Sequence, residues 1–311
     1  MERELDVQRL RILVEVAHSG SIAEAARRLA FTPSALSQQI AKLEKDLDVR
    51  LLERRATGVV LTPVGALVLA QAERVVGELR RARAEIGAVI AEQPLRLALG
   101  AFATAGQVLV PSALAALRDR HPRAELSLVD IEPPGGYGLV TSGDLDALIT
   151  HRYHPGVPAA PHPGLERHKL LDDPLRLVVP AGHPLADRPA HRPVGLRELA
   201  GESWISGAPG IPNRVCLEGL SRQAEVGVRV AYESADYHAI LALITAGLGV
   251  ALVPASVLTR TDRSRLALHR LAGCAPAREI SIVHQRRPTT LVRELIAFLH
   301  TAARQTAAEG G

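Results

Sequence analysis

Aromatic residues are scarce in this 311-residue chain, at 3% of positions, so its cores must be packed from aliphatic side chains, which the 47% hydrophobic content supplies. Cysteine is scarcer still. Cys216 and Cys274 are the only two, and a disulfide switch would require them within bridging distance, so buried inert thiols are expected. There is no run of about 18 apolar residues and no charged-then-apolar leader, which argues against a membrane span and places the protein in the cytoplasm. Lysine occurs only at 42, 45 and 169, so Lys169 is the sole candidate for a Schiff base in the C-terminal region. No nucleophile elbow, phosphate-cradling glycine loop or metal dyad accompanies it. An enzyme or solute-binding module with a fused N-terminal head is therefore the weaker reading, and no cofactor is expected. Charge of one sign is also lacking. The formal net charge is +4, and residues 1–60 carry ten Lys/Arg against nine Asp/Glu, so affinity for a polyanion must come from where the arginines sit.

What is present begins with residues 21–65. Ser21 followed by Glu24 forms a capping box, so a helix should start at Ile22 and run to Leu29, with Ala25, Ala26 and Leu29 as its apolar stripe. Thr32 then reads as an N-cap, with Pro33 at the first helical position, where its missing N–H costs nothing. On this second helix Leu36, Ile40, Leu43 and Leu47 face inward. Two short helices joined by a tight turn form a helix-turn-helix, whose second helix lays its N-terminal residues in the major groove of double-stranded DNA. Those residues are Thr32, Pro33, Ser34, Ser37, Gln38 and Gln39. Hydroxyls suit phosphates and amides suit base edges. Val49–Arg55 and Val59–Leu61 are β-prone runs around Ala56-Thr57-Gly58, a hairpin wing that carries Arg50, Arg54 and Arg55 towards the DNA backbone or minor groove.

Thr62-Pro63 opens another helix, free of proline until Pro94 and roughly 45 Å long at ~1.5 Å per residue. Val68, Ala72, Val75, Leu79, Ala82, Ile86 and Val89 follow alternating steps of four and three, the seam of a left-handed coiled coil. A lone helix cannot bury such a seam, and its simplest partner is a second copy of itself, the alternative being the chain's own later domain.

From Pro94 onward, β-prone runs alternate with helical stretches, as in an α/β domain with parallel strands. Strands are expected at 95–100, 125–131, ending at 147–150, at 175–179 and at 250–253, with helices at 107–121 and 237–246. Ligands in open α/β sheets bind at the carboxyl ends of strands. This selects Phe102 and Thr104 after the first strand, Thr150 and His151 after the third, and Ser206 with Gly207 after Trp204-Ile205. Together these could hold a small carboxylate, since the loop at Phe102 precedes a helix N-terminus, or another polar metabolite. Ser234 and Asp236 need no ligand, since they serve as caps. His151, His154, His162 and His168 lie among prolines without the rigid spacing of a zinc site, so no metal is expected.

Taken together, the residues resemble a LysR-type transcriptional regulator over nearly the whole chain. The resemblance is carried by Leu10-Arg11-Ile12-Leu13, Ser21 with Ala25-Ala26 and Leu29, Thr32-Pro33-Ser34-Ala35-Leu36-Ser37, Leu43-Glu44 with Leu47, Leu51-Leu52-Glu53-Arg54, and Leu61-Thr62-Pro63-Val64-Gly65. Leu52 replaces the usual aromatic, and Gln38 replaces a common basic residue. The resemblance implies an α/β protein with a winged helix-turn-helix at 1–62, a linker helix at 63–93 and an effector domain of periplasmic-binding-protein type at 94–304. In that domain, subdomain I would comprise about 94–165 and 266–304 and subdomain II about 166–265, with crossovers near 166–171 and 265–271. It also places an effector-touching hydroxyl at Thr104, counted back from Pro111. It further implies a homodimer or dimer of dimers that holds an interrupted palindrome in a promoter and shifts its assembly when the effector binds.

Overall fold

The computed structural model describes residues 5–55, 58–90, 95–156, 162, 164–189, 191–273 and 275–310. Three helices build the head: α1 (Val7–Ser19), α2 (Ile22–Arg28) and α3 (Pro33–Leu47). Each start is capped by a side-chain oxygen. Asp6 accepts from the Gln8 amide, Ser21 from Glu24 and Thr32 from Ala35. Leu13, Leu36 and Leu43 close the core between them. Glu44 explains why a carboxylate stands near the end of α3: it accepts from the Leu51 and Leu52 amides at 2.7 and 3.2 Å, docking the wing onto the helix. The wing pairs β1 (Leu52–Arg55) with β2 (Gly58–Leu61). It begins at Leu52, not Val49, so Arg50 sits in the turn before the strand.

The linker is α4 (Pro63–Ile90), 28 residues. Thr62 caps it by accepting from the Gly65 amide at 2.9 Å. A Cβ at Gly65 would lie 2.0 Å from the Leu51 carbonyl oxygen, so only glycine permits the helix to pass this close to the wing. The expected seam divides. Ala72 is fully buried in the head's own core, and Val68 is half-buried against it, because α4 lies along α1 from its first turns. Those two residues therefore serve the chain itself, and Val76 joins them. Val75, Leu79 and Ile86 remain 41%, 43% and 56% exposed, with Ala82 exposed between them. The side chain of Val89 lies outside the described residues.

The regulatory region adds β3 (Arg96–Ala101), α5 (Ala103–Val108), α6 (Val110–Arg120), β4 (Glu125–Asp130), α7 (Pro133–Ser142) and β5 (Ala147–His154). The single helix expected over 107–121 is thus two, divided at Leu109. Pro111, in the first turn of α6, cannot donate to the Gln107 carbonyl, and Arg260 supplies that hydrogen bond at 3.0 Å. Next come β6 (Leu165–Pro180), β7 (Ser203–Ser206), α8 (Pro212–Ala224), β8 (Arg229–Glu233), α9 (Tyr237–Thr245), β9 (Ala251–Pro254) and α10 (Ala255–Leu258). The last elements are β10 (Leu266–His269), β11 (Ala277–Gln285) and α11 (Thr290–Gly310).

β6 is one continuous strand that serves two subdomains. Residues 165–174 pair with β11, while 175–180 pair with β9 and β10. The first crossover therefore falls at Pro174–Leu175, and the second lies between His269 and Ala277. Both differ from the expected 166–171 and 265–271. Residues 166–174 belong to the first subdomain and residues 266–269 to the second, and α11 runs to Gly310. Pro174 marks the change of partner, since it has no N–H to give a ladder. β3 pairs in parallel with β4 and β5, and β7 in parallel with β8. The first subdomain packs Leu99, Ile149 and Ile282 with Leu295 of α11 and Leu117 of α6. The second packs Trp204, Leu177 and Leu220 on one side and Ile240, Ile205 and Val253 on the other.

Candidate functional sites

Along α3, Ser34 and Gln38 are exposed and Ser37 and Gln39 half-buried, with Thr32 and Pro33 exposed at its start. Lys42 and Lys45 continue the stripe of Ser34 and Gln38 at helical spacing and are exposed too. They extend the polar face with positive charge, and their four- and seven-residue steps from Gln38 were available in the sequence. Arg50 is exposed in its turn. The side chains of Arg54 and Arg55 lie outside the described residues.

The second site lies where the subdomains join. Phe102 caps α5, a helix of only six residues, and Thr104 in its first turn is buried. The centre is Arg278, in the middle of β11 and 2% exposed. Its Nε donates to Asp173 at 2.9 Å, one terminal nitrogen to Thr104 at 3.0 Å and the other to Ser256 at 3.2 Å. Ser256 donates its hydroxyl to Asp173 at 2.6 Å. Asp173 thereby compensates the buried guanidinium, and one cation ties the first subdomain, through Thr104, to the second, through Ser256. The Thr104 oxygen accepts from Arg278, so its own proton is free to be donated elsewhere.

Aromatic groups wall this network. The guanidinium lies 5.3 Å from the Phe102 ring centre and 5.8 Å from that of Tyr237. The Tyr153 and Tyr237 hydroxyls meet at 2.8 Å. Burial pushes the Tyr153 pKa up and that of Tyr237 well up, so both phenols stay protonated. Burial opposes the charge on Arg278, but Tyr153, Asp173 and Tyr237 outweigh it and raise its pKa above the ordinary arginine value. His151 meets Phe102 edge-on at 4.6 Å. Burial lowers its pKa, Glu132 pulls it up and Arg278 lowers it further, leaving a net depression that favours the neutral ring. Its Nδ1 is buried and has no hydrogen-bond partner among the described residues.

Phe102, Thr104 and His151 thus come together. Thr150 does not. Successive residues of a strand point to opposite faces, and Thr150 faces α7, where its hydroxyl meets that of Tyr137 at 2.9 Å. Ser206 and Gly207 are buried at the end of β7. The Ser206 carbonyl accepts from the Ser234 amide and the Gly207 amide donates to Asn213, and among the described residues no hydrogen bond joins them to Arg278 or Thr104. Asp236 caps α9, accepting from the His238 amide at 2.9 Å. A cavity of about 180 Å³ opens between α5 and α9–α10, lined by residues including Gln107, His238, Leu241 and Arg260. None of the six expected effector residues lines it. Because it lacks a buried unpaired polar group among its lining, the Arg278 network is the better-built site. Cys216 is buried with its sulfur 3.8 Å from the His154 carbonyl, and Cys274 lies outside the described residues.

A winged helix-turn-helix joined by a long helix to a two-subdomain binding region defines a ligand-responsive DNA-binding regulator. Residues 7–66 match the model of the bacterial regulatory helix-turn-helix protein, lysR family, and residues 91–304 match that of the LysR substrate binding domain. The chain belongs to the LysR family of transcriptional regulators. It is 34% identical over 266 residues to the transcriptional regulator TfdS of Cupriavidus pinatubonensis, covering 81% of this chain and 83% of that protein. Over 300 residues it is 26% identical to the regulator GltR of Bacillus subtilis, covering 95% of each. Among solved structures, a full-length OxyR variant from Pseudomonas aeruginosa superposes with a TM-score of 0.67 at 24% identity, covering 97% of this chain and 95% of that one. CbnR gives 0.54 at 24% identity, covering 95% and 100%. These two likenesses establish the shared fold. Among the described residues no helix is long and apolar enough to cross a membrane.

Proposed function

We propose that the protein acts in the cytoplasm, without turnover, as a dimeric regulator that reads an interrupted palindrome in promoter DNA and answers to a small polar effector, favoured to be a carboxylate. Thr32, Pro33, Ser34, Ser37, Gln38 and Gln39 face the bases and adjacent phosphates, with Lys42, Arg50, Arg54 and Arg55 on the backbone. CbnR, which shares the fold, has been solved in complex with its target DNA. Val75, Leu79, Ala82 and Ile86 form the dimer seam. Leu79→Glu would place like charges across it, and sedimentation should then show monomers; a persistent dimer would rule out this seam.

The observation that carries the effector reading is the Arg278 network beside the His151 Nδ1, which has no hydrogen-bond partner among the described residues. A ligand that accepts the Thr104 proton and donates to the His151 Nδ1 lone pair alters a polar joint between the subdomains, and its influence is limited by its differential affinity for the two states. Ser206 and Gly207 supply the second subdomain's contribution. A thermal-shift screen of small carboxylates on the full chain tests this, since ligand binding raises stability by mass action. The shift should vanish in Thr104→Val. A hit that survives that substitution puts the cleft elsewhere.

A further inference from the structure

β6 and β11 gather a second cluster that the reading above does not use. Glu166 lies directly opposite His284 in their antiparallel register, and His168, two residues along β6, shares that face. One ligand-capable atom from each of the three lies within 4.8 Å of the others. The His168 and His284 rings stack at 4.9 Å with 12° between their planes.

The protonation of His284 follows from its neighbours. Its Nδ1 is 2.6 Å from the Gln285 carbonyl oxygen. A carbonyl only accepts, so Nδ1 carries the hydrogen and Nε2 keeps a lone pair. Among the described residues that Nε2 has no hydrogen-bond partner, and it is buried on a residue 1% exposed. A backbone carbonyl gripping one nitrogen while the other presents a lone pair is how proteins orient a metal-ligating imidazole. Glu166 and His168 are exposed and can turn towards it.

We propose that Glu166, His168 and His284 form a site for one divalent transition-metal ion. Two imidazoles and a carboxylate suit Zn²⁺, Co²⁺ or Ni²⁺ rather than Ca²⁺ or Mg²⁺, and three protein ligands leave a fourth position for water. Ligand atoms around a tetrahedral ion stand roughly 3.3 Å apart at bonds of about 2.0–2.1 Å. The two exposed side chains therefore close by at most about 1.5 Å on a fixed His284, given ligand atoms within 4.8 Å of one another. The local spacing of His151, His154, His162 and His168 gives no sign of this site, because its ligand set arises from strand register between distant segments, with His168 alone drawn from that run.

The test uses the full-length chain stripped with a chelator and titrated with Zn²⁺ by calorimetry. One ion per chain is expected, with the melting temperature rising by roughly 5 °C or more at a hundredfold excess over Kd. His168→Ala and Glu166→Gln should each weaken Zn²⁺ at least about tenfold while leaving the melting of the metal-free protein unchanged. His154→Ala, at the opposite end of β5, should bind as the wild type does. Co²⁺ should give a visible absorption band that His168→Ala abolishes. Absence of binding, or equal affinity in wild type and His168→Ala, would overturn the site.

Discussion

The head and the regulatory domain place their working residues in opposite ways. In the head they form one exposed stripe on one helix, local in sequence and outside the core that holds it. At the subdomain joint they are buried and converge from six elements, α5, β5, β6, α9, α10 and β11, and the centre is an ion pair whose members stand far apart in the chain. A surface that reads a rigid external partner needs only a correctly posed helix. A joint that responds to a ligand needs groups whose contacts can be exchanged. Changes at the joint should therefore cost stability, whereas changes on the stripe should cost binding alone.

The largest test of that contrast is Arg278→Met. It leaves Asp173, which is 1% exposed, as an uncompensated buried charge, and the loss should be about 3–5 kcal/mol in chemical unfolding of the full chain. A loss of under about 1 kcal/mol would mean that the network is solvated or dispensable. Next comes Gly65→Ala at the join of head and linker. The added carbon would meet the Leu51 carbonyl at 2.0 Å, so the wing must shift, at about 1–3 kcal/mol and with weakened DNA binding. Normal DNA affinity in that variant would show that the wing's docking is irrelevant to reading.

The smallest effect concerns pH. Burial lowers the His151 pKa below the ordinary 6.5. As pH falls through 6.5 the unfolded chain takes up the proton first, so this contribution is present above that value and lost below it. Burial shifts His269 in the same direction. His151→Gln should therefore flatten, without abolishing, the fall in unfolding free energy between about pH 7.5 and about pH 5.5. An unchanged slope would show that His151 is not held neutral.

How much of this could be read from residue order divides along the same line. The caps at Ser21 and Thr32 and the inward row of Leu36, Ile40 and Leu43 are local signals, and they were legible. The place of Thr104 after the first strand singled it out, and the structure sets it against Arg278. Arg278 itself was not legible, because a charged residue within AREISIVHQ looks like a strand facing solvent until β5 and β6 flank it. β6 hides its double role for the same reason: its pattern changes with its partners at Pro174. Thr150 and His151 were chosen together although adjacent strand residues cannot share a face. Ala72 fits the seam's heptad, and only the packing of α1 along α4 reveals that the head itself claims it.

The central claim, that the stripe on α3 reads DNA independently of the buried joint, is tested most directly by footprinting Gln38→Ala against wild type on the DNA upstream of the protein's own gene. The expected result is protection lost or relaxed in sequence by about 1–3 kcal/mol, with an unchanged melting temperature. Undiminished protection at the same bases would contradict it.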